Sequence, residues 1–359
     1  MYGVFDVGQA FVKSSGAAGG SQFNQGTVGR LDNNSSYIGF KGTEDLGNGL
    51  KAVFQYESDF QGDQSGAIQG GRDSYVGLTG GFGTIVAGTL THPLRAMYAR
   101  TEILPGATGL GSTSSVVGKL MGSRTGADDR AKNVVAYMTP KFAGFSGTVA
   151  YINGETKTND TPTSGSVNRR AWQLAGQYEN GPVWAALGYH REYDFGAQAL
   201  SSPTSNGPVL GALSNADSSI WRAATTYTFP SNTKISALYD STKAGLGGDT
   251  YAKRRAWSLG VTQAFGNNTV GLEYARAGDT SIGGSKQDNT GANIVTALYS
   301  YSLSKRTMLH ARYSRLSNND NVDYNFYVNP TNNGVATGTT SGTFGSTYTG
   351  YMVGIRHSF

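Results

Sequence analysis

Hydrophobic and polar positions along this chain alternate with a period of two. Across residues 233–240, Ile235, Ala237 and Tyr239 share one face, while Lys234, Ser236, Leu238 and Asp240 share the other. Across 256–265, Trp257, Leu259, Val261 and Phe265 oppose Ser258, Gly260, Thr262 and Ala264. At the C-terminus Tyr351, Val353, Ile355 and Phe359 oppose Gly350, Met352, Gly354, Arg356 and Ser358. The pattern predicts β-strands with one apolar and one polar face, and their Tyr, Val, Thr and Trp content agrees.

Two kinds of connection take turns between the strands. The short ones, at 45–49, 80–83, 140–144, 179–182, 230–232, 266–268 and 304–306, carry the Gly, Asn and Pro of tight reversals. The long ones are polar and rich in Gly, Ser, Thr and Asn, at 13–34, 61–71, 91–132, 154–170, 194–218, 243–253, 280–291 and 317–345. Fifteen connections predict sixteen antiparallel strands, with both termini on the short-turn side. Short turns at one end and long loops at the other are the habit of a transmembrane β-barrel. Ten residues at ~3.3 Å each, tilted near 45°, rise roughly 23 Å, close to the ~25 Å apolar band of such barrels.

Aromatic placement points the same way. On the apolar faces Tyr56, Tyr151, Trp172, Tyr189, Trp221, Tyr239, Trp257, Tyr274, Tyr313 and Tyr351 lie toward the long loops. Tyr137, Phe145, Tyr178, Tyr227, Phe229, Phe265, Tyr301 and Phe359 lie toward the short turns. Two aromatic rings with aliphatics between them are what two membrane–water interfaces select. The opposite face carries charge: Lys41, Lys51, Arg222, Lys234, Arg312 and Arg356 against Asp6, Glu57, Asp73, Asp240 and Glu273. Charges are costly against hydrocarbon or in a dry core, so this face is expected to meet water. A closed sixteen-stranded sheet is large enough to hold an aqueous channel.

Composition narrows the alternatives. Charged residues make up 15% of the 359-residue chain, below the roughly 25% of soluble domains. With no Cys, disulfides, thiolate catalysis and Cys-ligated metals are excluded. No apolar run approaches the ~18 residues of a membrane helix. The net charge of +5 is scattered, and Arg169-Arg170 and Arg254-Arg255 stand as isolated pairs, unlike a nucleic-acid footprint. His92, His190, His310 and His357 lack metal-ligand spacing, and no nucleophile elbow occurs, so no enzyme and no cofactor are expected. Asp128-Asp129 and residues 318–321 offer oxygen ligands of the kind calcium takes, though solvated loop charge is the simpler reading. Met1 reads as an initiator placed on a mature chain with no signal peptide.

Several segments resemble one family, the trimeric general porins of the Gram-negative outer membrane, in their neisserial and β-proteobacterial branch. The opening at 2–6 (YGVFD) is similar to the family's first strand, and 36–52 (SYIGFKGTEDLGNGLKA) resembles its most specific strand–turn–strand signature. Residues 72–78 with 81–83, residues 133–144 and the terminal VGIRHSF at 353–359 resemble further family segments. The resemblance spans the whole chain, read as one barrel domain over 1–359. It implies a bacterial outer-membrane location, a homotrimer set among lipid and lipopolysaccharide, and a C-terminal Phe359 read by the insertion machinery. It also implies a third loop folded inward as a constriction, facing an arginine cluster on the wall.

For the third loop, 91–132, the implied constriction residues are Arg95, Arg100, Lys119, Arg124, Glu102, Asp128 and Arg130, joined by Arg72 and Tyr37 from the wall. Lys41, Arg222, Arg312, Arg356, Glu57, Asp240 and Glu273 are expected to line the lumen. Six basic residues against three acidic ones in the loop favour anions. Two departures matter. Tyr37 stands where family members commonly place a constriction arginine, and strict alternation points Arg72 outward unless a bulge turns it. The expected function is passive diffusion of small hydrophilic solutes with a mild anion preference. The competing readings are a substrate-specific channel for organic anions or small peptides, with Tyr37 and Tyr98 as stacking groups, an enzyme on a barrel rim, and a soluble lectin-like sandwich or propeller.

Overall fold

The computed structural model describes residues 1–359 except 61, 63–68, 122, 125, 159–166, 195–216, 248 and 332–341. Most of the expected loop at 194–218, and parts of those at 61–71, 154–170 and 317–345, lie outside the described residues. The described residues form sixteen barrel strands. These are β1 (Tyr2–Ser15), β2 (Tyr37–Gly47, preceded by the detached segment Val28–Asn33), β3 (Leu50–Asp59), β4 (Gln69–Gly80), β5 (Gly83–Thr91), β6 (Arg130–Met138), β7 (Phe145–Thr158) and β8 (Val167–Asn180). The rest are β9 (Val183–Tyr193), β10 (Ser218–Thr228), β11 (Thr233–Gly247), β12 (Thr250–Phe265), β13 (Asn268–Ala277), β14 (Ala292–Ser302), β15 (Thr307–Asn318) and β16 (Thr347–Ser358).

Each strand pairs antiparallel with its chain neighbour, and β1 closes the sheet on β16 from Val4↔Ser358 to Ser15↔Thr347. Closure leaves no sheet edge to aggregate. The short turns are set by backbone chemistry: Asn48 (φ 52°) and Gly49 (φ 77°) both sit at positive φ, as a two-residue hairpin turn compatible with strand twist requires.

Two expected loops are shorter than the sequence pattern implies. Val28–Asn33 pairs with the middle of β1, Val12↔Val28 to Val7↔Asn33, so part of 13–34 is ladder. The described residues of 243–253 are mostly ladder rather than loop: β11 and β12 stay in register to Lys243↔Lys253 and Ala244↔Ala252. Alternation continues there with Ala244 and Ala252 buried inward and lysines outward. The apolar signal fades because these turns of ladder stand above the hydrocarbon.

The outer surface is apolar and exposed. Trp172, Trp221, Tyr239, Trp257, Tyr313 and Tyr351 form the upper ring, and Phe145, Phe229, Phe265 and Tyr301 the lower one. Upper-ring aromatics meet across strands, Tyr189–Trp221 at 4.4 Å, Tyr151–Trp172 at 4.7 Å and Phe11–Tyr351 at 5.2 Å between centroids. Between the rings stand Leu187, Leu259, Leu272 and Val353. No described helix is long and apolar enough to cross a membrane; this chain crosses with strands. Leu259→Arg puts a cation in the middle of that band and is expected to cost about 2–4 kcal/mol, measured by urea titration of protein folded into lipid vesicles. A loss below ~0.5 kcal/mol, the scale of an ordinary surface change, would place Leu259 outside the bilayer.

Candidate pore constriction

Between β5 and β6 the chain turns into the barrel. It forms helix α1 (Pro93–Thr101), short 3-10 turns at 105–107, 113–115 and 126–128, and a small ladder of Lys119–Leu120 with Ser123–Arg124. Nearly every described residue from Leu94 to Leu120 is buried or half-buried against the inner wall. The wall makes room by omitting side chains. A Cβ on Gly188 would meet Leu94 at 2.8 Å and Met97 at 2.9 Å, and one on Gly350 would meet Leu110 at 2.7 Å. Inward glycines are thus the sockets of the loop's apolar knobs.

Polar anchors fix the loop along the wall. Ser236 Oγ donates to Thr101 O at 2.7 Å, Lys234 Nζ to Arg100 O at 3.0 Å, Thr296 Oγ1 to Gly111 O at 2.6 Å and Arg312 to Thr108 O at 3.0 Å. The strongest anchor is ionic. Arg222 donates to Leu94 O (2.8 Å), to Asp128 Oδ1 (2.9 Å) and to Asp240 Oδ2 (2.8 Å), and Arg254 reaches Asp240 Oδ1 at 3.2 Å. All four charged side chains are essentially inaccessible. A second cluster centres on Asp6, which meets His310 at 3.1 Å and Arg356 at 3.0 Å, with Arg312 at 4.0 Å.

These clusters correct the expectation that the whole charged face meets water. Arg222, Asp240, Glu273 and Arg312 point inward as alternation requires, yet they lie buried beneath the loop. Arg222, Asp240 and Arg312 are balanced by charged partners rather than by solvent, which is how buried ions are tolerated, whereas Glu273 is held by hydrogen bonds from Ile103 and Thr113. Asp128 belongs to the Arg222 cluster, so it is not an open calcium ligand; no metal-binding group of His, Asp and Glu occurs among the described residues.

Glu102, just past α1, holds the loop's middle. Its Oε1 accepts from the N–H of Ile103 (3.0 Å), and its Oε2 from the N–H of Thr113 (2.9 Å) and from the Tyr98 hydroxyl. Glu273 on β13 shares the Ile103 N–H at 3.2 Å and the Thr113 hydroxyl at 3.4 Å. Burial alone pushes the Glu102 carboxyl up, but its hydrogen bonds with Glu273 and Tyr98 and from the Thr113 and Leu104 backbone hold it below the ordinary carboxylate range. A carboxyl with a depressed folded-state pKa stabilises the folded loop above its unfolded pKa and loses that contribution as pH falls through the folded one. The Glu102 contribution is therefore expected to be lost, and the loop to loosen, in acid below the ordinary carboxylate range. Conductance noise recorded against pH checks this, and Glu102→Gln should remove the acid step; a Gln variant with the same acid step would move the effect elsewhere.

Opposite the loop, β1–β6 present a second charged set. Arg72 turns inward, and the β3–β4 ladder shifts register between Tyr56 and Ser58 as that requires. Its guanidinium lies 4.3 Å above the Tyr37 ring, 3.3 Å from Glu57 and 3.0 Å from Asp59. Arg130 Nε meets Asp73 at 2.8 Å, and Lys41 sits over the Tyr2 ring at 4.9 Å. Tyr2 OH donates to Glu57 at 2.7 Å, and Gln55 reaches the same carboxylate at 3.0 Å.

The structure thus brings Arg72, Tyr37, Lys41, Glu57 and Arg130 together on one wall. Arg95 lies on the loop at 3.9 Å from Asp128 and is 16% exposed. Arg100 is elsewhere, paired with Glu179 at the short-turn end, and Lys119 is buried, donating to Asn325 O at 3.2 Å. The Arg124 side chain lies outside the described residues. Tyr98 is buried, and Tyr37 already carries Arg72, so neither offers a free ring to a solute. Sequence reading missed Asp59, and it took Arg254 for half of an isolated basic pair; the alternation around Ala256 and Ser258 places Arg254 on the inner face.

Known proteins agree with this architecture. A family model described as Gram-negative porin matches residues 1–321. The chain is 32% identical to outer membrane porin protein 32 of Delftia acidovorans, covering 100% of this chain and 93% of that one. It is 29% identical to the major outer membrane protein P.IB of Neisseria gonorrhoeae, over 86% and 85% of the two chains. The solved anion-selective porin from Comamonas acidovorans superposes with a TM-score of 0.74 at 26% identity, covering 100% of this chain and 98% of that one. With a closed sixteen-stranded barrel, lipid-facing aromatic rings and a loop folded against the inner wall, this chain belongs to the Gram-negative porin family, whose members are outer-membrane channels and not enzymes.

Proposed function

We propose that the chain works as a homotrimer in which each barrel passes small hydrophilic solutes with a mild preference for anions. In this reading the third loop, 91–132, and the wall bearing Arg72, Arg130 and Tyr37 form the constriction. The observation that carries it is the charge balance of that wall. Arg72 and Arg130 take up Glu57, Asp59 and Asp73, while Lys41 stands exposed without a carboxylate partner among the described residues. Arg95 adds a partly exposed positive charge from the loop. The wall's three bases match its three acids, so the small positive excess comes from Arg95, and clustered Arg and Lys at a bottleneck favour anions. The name of the Comamonas relative supports the same sign.

The surrounding lipid, including lipopolysaccharide, and recognition of Phe359 by the insertion machinery belong to this reading as well. Phe359 completes the seam structurally, exchanging backbone hydrogen bonds of 3.1 Å with Gly3 in both directions. Purified protein in a planar bilayer should insert in conductance steps of three and give a reversal potential of anion sign in a KCl gradient. A reversal potential of cation sign would overturn the proposed selectivity, and single uncoupled steps would overturn the trimer. Nothing in the site favours a saturable organic-anion channel, since both stacking candidates are occupied.

A further inference from the structure

Above the upper aromatic ring the outer surface changes from apolar to cationic. Lys243 on β11 and Lys253 on β12 stand directly opposite one another in the ladder, and both are exposed. Arg255 follows two residues below Lys253 on the same face, and Arg276 on β13 opposes Trp257. At ~4.8 Å between strands and ~6.6 Å between alternate residues, the four side chains root within about 16 Å of one another. They sit immediately above Tyr239, Trp257 and Tyr274 of the ring. Arg315 on β15 and Lys13 on β1, joined in one row through Thr349, continue the same level.

Like charges at opposed ladder positions repel, and the nearby acids do not relieve them. Asp217 is taken by Arg191 at 2.8 Å, and Asp279 and Asp288 by Lys286 at 3.0 and 2.7 Å. Lys243 rests over the Tyr251 ring at 3.5 Å. None of the four cations has a carboxylate partner among the described residues, and Asp249 at the hairpin tip is the acid left over nearby. The short-turn end of these strands is unlike this: its outward positions are Thr233, Gln263, Phe265 and Asn268, without charge. The asymmetry matches a bilayer whose long-loop leaflet carries dense negative charge at headgroup depth.

We propose that Lys243, Lys253, Arg255 and Arg276 form a binding site for the phosphorylated headgroup of lipopolysaccharide on the outer wall of β11–β13. The site rests on the membrane-barrel reading and goes beyond it by naming the wall and the side chains that take that lipid's phosphates. Guanidinium and ammonium groups bind phosphate oxygens by charge-assisted hydrogen bonds. The aromatic ring below holds the first methylenes of the acyl chains, and the basic row holds the phosphates.

The full chain in detergent is titrated with fluorescent lipopolysaccharide, intact or enzymatically dephosphorylated, beside the variant Lys243→Gln, Lys253→Gln, Arg255→Gln, Arg276→Gln. Wild type should bind the intact lipid at least tenfold more tightly than the dephosphorylated lipid, and the variant should bind both as weakly as wild type binds the latter. Millimolar inorganic phosphate should leave the lipid bound. Equal affinity of wild type for the two lipids, equal affinity of variant and wild type for the intact lipid, or displacement by inorganic phosphate would each overturn the site. Single-channel conductance of the same variant should be unchanged, because all four side chains face away from the lumen; that record separates loss of the lipid site from failure of the channel reading.

Discussion

Replacing Arg72 and Arg130 together by alanine should turn the channel from mild anion preference to clear cation preference. Simple loss of two positive charges would only weaken the preference. Here each arginine also masks acids: Glu57 and Asp59 beneath Arg72, and Asp73 beneath Arg130. Without the arginines, Glu57 keeps hydrogen bonds from Tyr2 and Gln55, and Asp73 keeps one from Thr91, so both side chains stay in place. Three carboxylates then face the proposed eyelet against Lys41. A unit charge at about 4 Å in water is worth about 1 kcal/mol, with opposite sign for cation and anion. After screening, whose length is ~10 Å at 0.1 M salt, the permeability ratio should shift on the order of tenfold. The reversal potential in a KCl gradient reads this directly. Adding Glu57→Gln and Asp73→Asn to the double variant should bring the potential back toward zero. If the double variant keeps the wild-type potential, these arginines do not face the ion path.

The sequence made the wall legible and hid what covers it. Two-residue alternation identified which side of Trp257 or Tyr351 faces lipid, because a lipid-facing residue has one environment and one chemistry. The inner face has two environments, and period alone does not separate them. Lys41 meets water whereas Arg222, on an equally polar face, is sealed under the third loop. The difference lies in contacts remote in sequence: Arg222 meets Asp128 across 94 positions of chain. The inward glycines held a usable clue. Gly188, Gly260 and Gly350 each interrupt the inner face where a loop residue, Leu94, Ile103 or Leu110, approaches within 3.2 Å of a would-be Cβ. The upper ladder was missed for another reason. At 243–253 both strand faces lie above the hydrocarbon, so the outward positions are lysines, and the strand signal loses the apolar half on which it depends.

Arg222→Leu should open the channel without unfolding the barrel. The arginine joins three things that otherwise do not touch: the end of the third loop through Asp128, the start of α1 through Leu94 O, and the β11 wall through Asp240. Removing one partner of a buried ion pair leaves an uncompensated charge and typically costs about 3–5 kcal/mol. Asp240 retains Arg254 at 3.2 Å, so the wall side is largely repaired. Asp128 keeps Arg95 at 3.9 Å, a looser contact than the 2.9 Å pair it loses, so the cost falls mainly on the loop. The cheapest way to rehydrate Asp128 is to let α1 and the loop end lift from the wall. The strand ladder, closed by β1 and β16, does not pass through Arg222's side chain, so heat-resistant gel migration should persist. Conductance and its noise should rise, and trypsin should gain access to Arg95 and Arg100. Arg222→Leu combined with Asp128→Leu removes the stranded charge and should restore much of the loop's protection, which a purely steric effect of the leucine would not do. Unchanged conductance together with unchanged protease resistance in the single variant would show that the apolar knobs in their glycine sockets hold the loop without its ionic anchor.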